Sequence, residues 1–176
     1  AKIMKIPQAQ YGDILAVHSY NPGASLVRWW TDGIVDHIAC CIGDGLIIDA
    51  RPFRGVQQHP IEFGLENHSW ILLRLKSQFN SVSADKQAAS KAWLQSNIGK
   101  GYDWKGLAGF PLSREMDSKN RFYCSELCFG WKRQEGIILI ERTPDGLVSP
   151  QNILGCPLLE VIDVDWKEKN QSIPGV

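Results

Sequence analysis

Three residues of types that cooperate in nucleophilic catalysis are spread along the chain: a cysteine, a histidine and an aspartate. Cys124 lies in RFYCSELCFG (121–130), where the pattern predicts that it begins a helix. Free backbone N–H groups and the helix dipole at such a position favour the thiolate, which is the attacking form of a thiol. Cys124 could equally be a metal ligand or a small buried side chain, because free cysteines are among the most buried residues.

A thiol nucleophile needs a base, and His37 is the best placed of the four histidines. It interrupts the apolar stretch IVDHIACCIG (34–43), where an imidazole is costly to bury without a hydrogen-bond partner. Asp49 is the one charged residue of LIIDA (46–50), the opposite strand of the same predicted hairpin, and could orient His37. The other histidines have easier loop or surface interpretations: His18, His59 and His68.

The register of this hairpin decides whether Asp49 can reach His37. If the last two residues of Gly43–Gly45 form a two-residue turn, Asp49 faces Cys40 and points to the opposite side of the sheet from His37. A bulge of one residue near the turn would place Asp49 opposite Ala39, on the face of His37. The sequence leaves both registers open.

Alternating and apolar runs predict strands, and capping signals predict helices. The predicted strands are 13–19, 34–42, 46–50, 55–61, 70–76, 137–141 and 157–165, and the predicted helices are 21–33, 83–99, 124–136 and 149–155. Strands and helices are segregated rather than alternating, so we expect an α+β fold with helices packed on an antiparallel sheet. The length and the absence of a linker predict a single domain spanning residues 1–176.

Amino-acid composition indicates which classes of binding partner and which cellular compartment to expect. Nineteen basic and nineteen acidic residues balance, so we expect no nucleic acid as a partner, and no apolar run is long enough for an integral membrane segment. Five cysteines without framework spacing favour a reducing compartment. We therefore expect a cytoplasmic protein, or one exported by a route that is not visible in the sequence.

Other sites are less well supported by the sequence. There is no CxxC or HxxxH pair, so zinc is a weak alternative, and neither a phosphate-binding loop nor a GxGxxG turn occurs. Cys128, Cys40 and Cys41 are expected to be core residues. Most of the tryptophans that lie in predicted elements are expected in the core as well: Trp29, Trp30, Trp70, Trp93 and Trp131.

Four segments together resemble a known family. They are YGDILAV (11–17), VDHIACCIGDGLIIDA (35–50), GKGYDW (99–104) and FYCSELC (122–128). In order and spacing they are similar to the NlpC-like superfamily of cysteine peptidases and amidases, in its circularly permuted papain-like branch, the YiiX/YebB-like group related to lecithin-retinol acyltransferases. The resemblance implies a permuted papain-like domain, with an antiparallel sheet or half-barrel against which the nucleophile-bearing helix packs.

The resemblance also implies roles for single residues. Cys124 would be the nucleophile, His37 the general base and Asp49 the residue that orients the imidazole, although relatives often have glutamate where this chain has Asp49. Glu126 is the alternative orienting or structural carboxylate, and Tyr102 would border the substrate site.

The implied reaction is attack of the thiolate on an amide or ester carbonyl, through a thioester acyl-enzyme, with no metal and no organic cofactor. The substrate would be a small peptide, such as a cell-wall peptide, or a small acylated amine. Two alternatives remain open: a catalytically idle papain-like binding domain, and a thioester acyltransferase or lipid-acting enzyme.

Overall fold

Six antiparallel strands form the sheet that carries the candidate residues. The computed structural model describes residues 5–65, 67–103, 121–141 and 148–167. The sheet has the strand order β4-β3-β2-β1-β5-β8. Its strands are β1 (Ile14–His18), β2 (His37–Gly43), β3 (Leu46–Arg51), β4 (Gly55–Pro60), β5 (Ser69–Leu75) and β8 (Leu159–Asp165). A short parallel pair, β6 (Gly101–Tyr102) and β7 (Arg121–Phe122), lies beside it.

The helices begin where the sequence places capping residues. They are α1 (Pro22–Thr31), α2 (Ala84–Ser96), α3 (Cys124–Gln134) and α4 (Pro150–Leu154), with 3-10 turns at Ile61–Gly64 and Ser77–Phe79. The side chains of Asn21, Ser83 and Ser149 each accept a backbone N–H from the first turn of α1, α2 and α4, respectively. At α3 the Glu126 side chain accepts the Tyr123 N–H at 3.1 Å, which fixes the start of this helix at Cys124.

The two faces of the sheet bury different sets of apolar side chains. Helix α3 packs on β2 and β3, on the face formed in part by Ile38, Cys40 and Ile48. The intervening residues Ala39 and Ile47 belong to the core cluster of the opposite face. Successive side chains of a strand point to opposite faces, so His37 and Asp49 share the side of Ala39 and Ile47, away from α3.

A bulge in the pairing of β2 with β3 places His37 and Asp49 on the same face of the sheet. Gly43 pairs with Leu46 at the turn, the register shifts between Cys41 and Gly43, and Cys40 then pairs with Ile48. Extending this register places Asp49 opposite Ala39. Of the two registers that the sequence leaves open, the protein adopts the bulged one.

The expected α+β class is confirmed: helices pack on an open antiparallel sheet of six strands. The strand predicted at 137–141 is wrong, because the segment continues from the end of α3 as irregular chain. Its Leu139 is nonetheless buried, and the Leu139 carbonyl oxygen accepts a hydrogen bond from the Cys156 thiol. Strand-like composition alone is therefore not sufficient for strand pairing, and Ile138 of this segment is 61% exposed. Trp29 was expected in the core but is 75% exposed. None of the helices within the described residues is long and apolar enough to cross a membrane.

A glycine pair tests how tightly β4 packs against the segment that leads to Tyr102. A Cβ built on Gly55 would lie 2.1 Å from the Lys100 carbonyl oxygen, whereas one on Gly45 meets no atom within 4 Å. Both glycines have positive φ, at 69° and 70°. We expect Gly45→Ala to cost about 1 kcal/mol, the strain of that conformation, and Gly55→Ala to cost about 2 kcal/mol more through overpacking. Urea unfolding of the two variants measures this difference, and equal losses would contradict the close approach.

Candidate active site

The centre of the site is the carboxylate of Asp49, which is completely buried on β3. One oxygen, Oδ2, lies 2.7 Å from His37 Nε2 and 2.8 Å from Arg51 Nε. The other, Oδ1, lies 2.9 Å from His59 Nε2. A buried carboxylate is costly unless its oxygens are hydrogen-bonded, and here three donors from three strands satisfy it.

Electrostatics keep this carboxylate ionised. Burial alone would raise the pKa of Asp49, but the hydrogen bonds from His37 and His59 and the positive charge of Arg51 outweigh burial and hold the pKa far below its usual range. An ionised carboxylate can only accept hydrogen bonds. The Nε2 atoms of both histidines therefore carry hydrogen and donate to Asp49.

The tautomer of His37 follows from this contact. With hydrogen on Nε2, the neutral imidazole of His37 has its lone pair on Nδ1. Within the part of the chain that the structure describes, Nδ1 has no hydrogen-bond partner. The side chain is only 14% exposed. Asp49 thus fixes the orientation of the His37 ring and leaves Nδ1 without a partner among the described residues.

Cys124 approaches the same end of β2 from the other face of the sheet. It is the first residue of α3 and is 1% exposed. The backbone N–H of Ile38, the residue after His37, donates a hydrogen bond to the sulfur, and so does the N–H of Ser125. No hydrogen bond joins Cys124 to His37 among the described residues.

The pKa of Cys124 differs from the sequence-based expectation that the helix N-terminus lowers it. Burial raises the pKa of Cys124 far above its usual value; the N–H groups of Ile38 and Ser125 oppose this shift, while the carboxylates of Asp49 and Asp36 add to it. The helix N-terminus does not compensate for the loss of solvent. Cys124 is therefore a neutral thiol near pH 7, and a base must remove its proton before it can attack.

A cavity of about 790 Å³ opens beside these residues. Its wall includes His37 and Tyr102, together with side chains from β1, α1, and the turns after β3 and before β5. Tyr102 is 7% exposed, belongs to the same apolar cluster as Cys124, and has its pKa raised by burial and by the neighbouring Cys124. Tyr102 thus connects the cavity to the thiol.

The residues singled out from the sequence gather at this end of β2. His37 and Asp49 are in direct contact, Cys124 lies next to Ile38, and Tyr102 borders the cavity. Glu126 accepts the Tyr123 N–H and stabilises the start of α3. Its position matches the structural alternative considered for it.

Sequence reasoning missed His59 and Arg51. The predicted strand 55–61 contains His59, but the sequence favours a loop or surface interpretation for its side chain; the structure places it on β4 opposite Ile47, one diagonal position from Asp49. Arg51 ends β3, two residues after Asp49 and on the same face. A signal was present: a short β3–β4 turn at 52–54 brings polar residues of GVQQHP (55–60) alongside Asp49.

Comparison with known proteins identifies the fold. No protein-family model and no curated protein matches this sequence. Among solved structures, the metalloprotein YiiX from Escherichia coli O157:H7 matches with a TM-score of 0.67 and 18% identity, over 91% of this chain and 99% of that chain. This chain has a YiiX-like fold. Among the described residues no group of three or more His, Cys, Asp or Glu is arranged to hold a metal ion.

Replacement of the central carboxylate tests the network through its pH dependence. The folded-state pKa of Asp49 lies below its unfolded value, so its contribution is complete above about pH 4 and is lost as the pH falls below that value. We expect Asp49→Asn to lower the free energy of unfolding by about 3 kcal/mol at pH 7, because Arg51 loses its counter-charge. The deficit should shrink near pH 3. Asp85→Asn, at an exposed carboxylate of α2 without an ion pair in the described part of the chain, is the control, and a deficit that does not change with pH would contradict the account.

Proposed function

We propose that the protein is a cysteine hydrolase that cleaves an amide bond in a small peptide or acylated amine. The observation that carries the proposal is the 2.7 Å contact between His37 Nε2 and Asp49 Oδ2, which leaves Nδ1 as the available base on the strand whose Ile38 N–H contacts the Cys124 sulfur. The order of the sequence segments supports it, as does their resemblance to the permuted papain-like branch of the NlpC-like superfamily. The YiiX-like fold is consistent with that architecture.

In the proposed reaction, His37 Nδ1 takes the proton of the Cys124 thiol while the sulfur attacks the carbonyl carbon. The backbone N–H groups near Cys124 stabilise the negative charge that develops on the carbonyl oxygen. The C–N bond breaks, the proton passes from His37 to the leaving amine, and a thioester to Cys124 remains. Water then attacks the thioester, His37 takes one of its protons, and the released thiolate recovers a proton from the imidazolium.

The resting geometry sets a condition for this reaction. The thiol is neutral and buried, and it is not hydrogen-bonded to His37 in the described part of the chain. Catalytic hydrogen bonds are often long or absent without substrate and shorten in the complex. We therefore propose that an acyl group bound in the cavity brings Sγ and Nδ1 together, so that reactivity towards acyl donors exceeds reactivity towards simple alkylating agents.

An activated ester tests the proposed chemistry. With p-nitrophenyl hexanoate we expect one equivalent of nitrophenolate to be released in a burst as Cys124 is acylated. Cys124→Ala should abolish the burst, and His37→Ala should slow acylation at least about 100-fold, the usual contribution of a general base. Cys128→Ala is the matched control, because Cys128 is equally buried one turn further along α3, and it should keep the burst.

Two outcomes would contradict the proposal. A full burst in Cys124→Ala would place the nucleophile elsewhere. Absence of acylation between about pH 5 and pH 9, with the folded state verified by circular dichroism, would favour the catalytically idle binding domain. If a dilute primary amine receives most of the acyl group in competition with solvent water, the chemistry is transfer rather than hydrolysis.

A further inference from the structure

Among the described residues, one positive charge at the cavity next to His37 has no counter-charge. Arg51 is paired with Asp49, and Asp36, the acidic residue among the described cavity-lining side chains, is paired with Arg28. Arg54 also lines the cavity, but its guanidinium group has no hydrogen bond or ion pair within the described residues. The charge balance of the cavity lining, counted over the described residues, is therefore positive.

The Arg54 side chain is nevertheless held in a defined place. Its guanidinium carbon lies 5.5 Å from the centre of the Phe63 ring, a cation–π contact. The guanidinium carbon of Arg51 lies 5.8 Å from the centre of the same ring. Two cations at one ring repel each other, and Asp49 compensates only one of them. Arg54 is exposed, and an anion beside it would reduce the repulsion and accept hydrogen bonds from its guanidinium group in place of water.

The turn that carries Arg54 is strained. Phe53 has a φ of 63°, in the left-handed region, which costs a residue with a side chain about 1 kcal/mol. Its side chain is 92% exposed and lies at the cavity. Backbone strain of this kind persists where surrounding structure imposes it, often at ligand sites. Here it places an aromatic ring at the mouth of the cavity next to the cationic group.

We propose that Arg54 is the anion-binding residue of this cavity and that its ligand carries a carboxylate or phosphate joined to an apolar segment. The anionic group lies at Arg54, and the apolar segment lies against Phe53 and Phe63. Identification of this ligand as the substrate rests on the proposed function, with the acyl group directed towards His37. Binding of the anion does not depend on the chemistry at Cys124.

The test compares matched ligands that differ in charge. N-hexanoylglycine carries a carboxylate, N-hexanoylglycinamide is its neutral counterpart, and hexyl phosphate carries the other anionic group. By isothermal titration calorimetry with Cys124→Ala, and again with the wild-type chain, we expect at least one of the two anions to bind at least about tenfold more tightly than the neutral amide. The tighter of the two anions identifies the group as carboxylate or phosphate.

Single-residue variants test whether the preference for anionic ligands depends on Arg54. Arg54→Ala should remove the preference for the anion, and Arg54→Lys should retain part of it. Arg133→Ala is the matched control, because Arg133 is also exposed and stacks on a phenylalanine, Phe129, at 5.9 Å, but on α3 away from the cavity. Equal affinity for anionic and neutral ligands, or a preference that survives in Arg54→Ala, would overturn the proposal. Anion binding without any acylation of Cys124 would instead refute the proposed reaction and leave this site standing.

Discussion

The candidate site depends on one buried negative charge. The carboxylate of Asp49 has no access to solvent, so its four lone-pair positions must be satisfied by the protein. Donors come from β2, β3 and β4, and the two on neighbouring strands, His37 and His59, lose their places if the strands shift by one residue. The same carboxylate fixes the His37 ring and its tautomer. A requirement of folding thus also determines which nitrogen is available for chemistry.

Asp49 is a shared partner rather than a dedicated one. Oδ2 accepts from both His37 and Arg51, so part of its negative charge is already offset before His37 takes a proton. Arg51 therefore moderates how strongly Asp49 can stabilise an imidazolium. His59 on Oδ1 holds the carboxylate from the other side, through a ring that packs edge-on against Phe63. Phe63 in turn contacts both arginines at the cavity, which couples the base to the proposed ligand site.

Local sequence predicts a feature correctly where a residue type has one favourable conformation or environment. The polar residues that break apolar runs, His37 and Asp49, were identified because burial without a partner is costly. The Gly43–Gly45 segment predicted a hairpin, and its bulged register was one of two that the sequence allowed. The caps of the helices were also predictable, since Ser83 and Ser149 are favoured acceptors for the first-turn N–H groups.

Tertiary context decided the rest. His59 gained its role from the pairing of β4 with β3, a relation between strands that no short segment reports. The helix N-terminus is expected to lower the pKa of the Cys124 thiol, but burial has the larger effect and raises it. Burial depends on the residues that pack around α3, which the local sequence does not specify. The segment 137–141 has strand composition, but it forms no strand and only its Leu139 is buried. How the thiol and imidazole approach from opposite faces of β2 also depends on assembly of the whole sheet.

A crystal structure of the protein after covalent reaction with a hexanoyl chloromethyl ketone tests the central claim most directly. The account predicts a bond from Cys124 Sγ to the probe, with His37 Nδ1 within about 3.2 Å of the sulfur or the ligand oxygen and Nε2 still bonded to Asp49. Modification of a different cysteine would contradict it. So would an adduct at Cys124 from which the His37 ring remains separated by the backbone of β2.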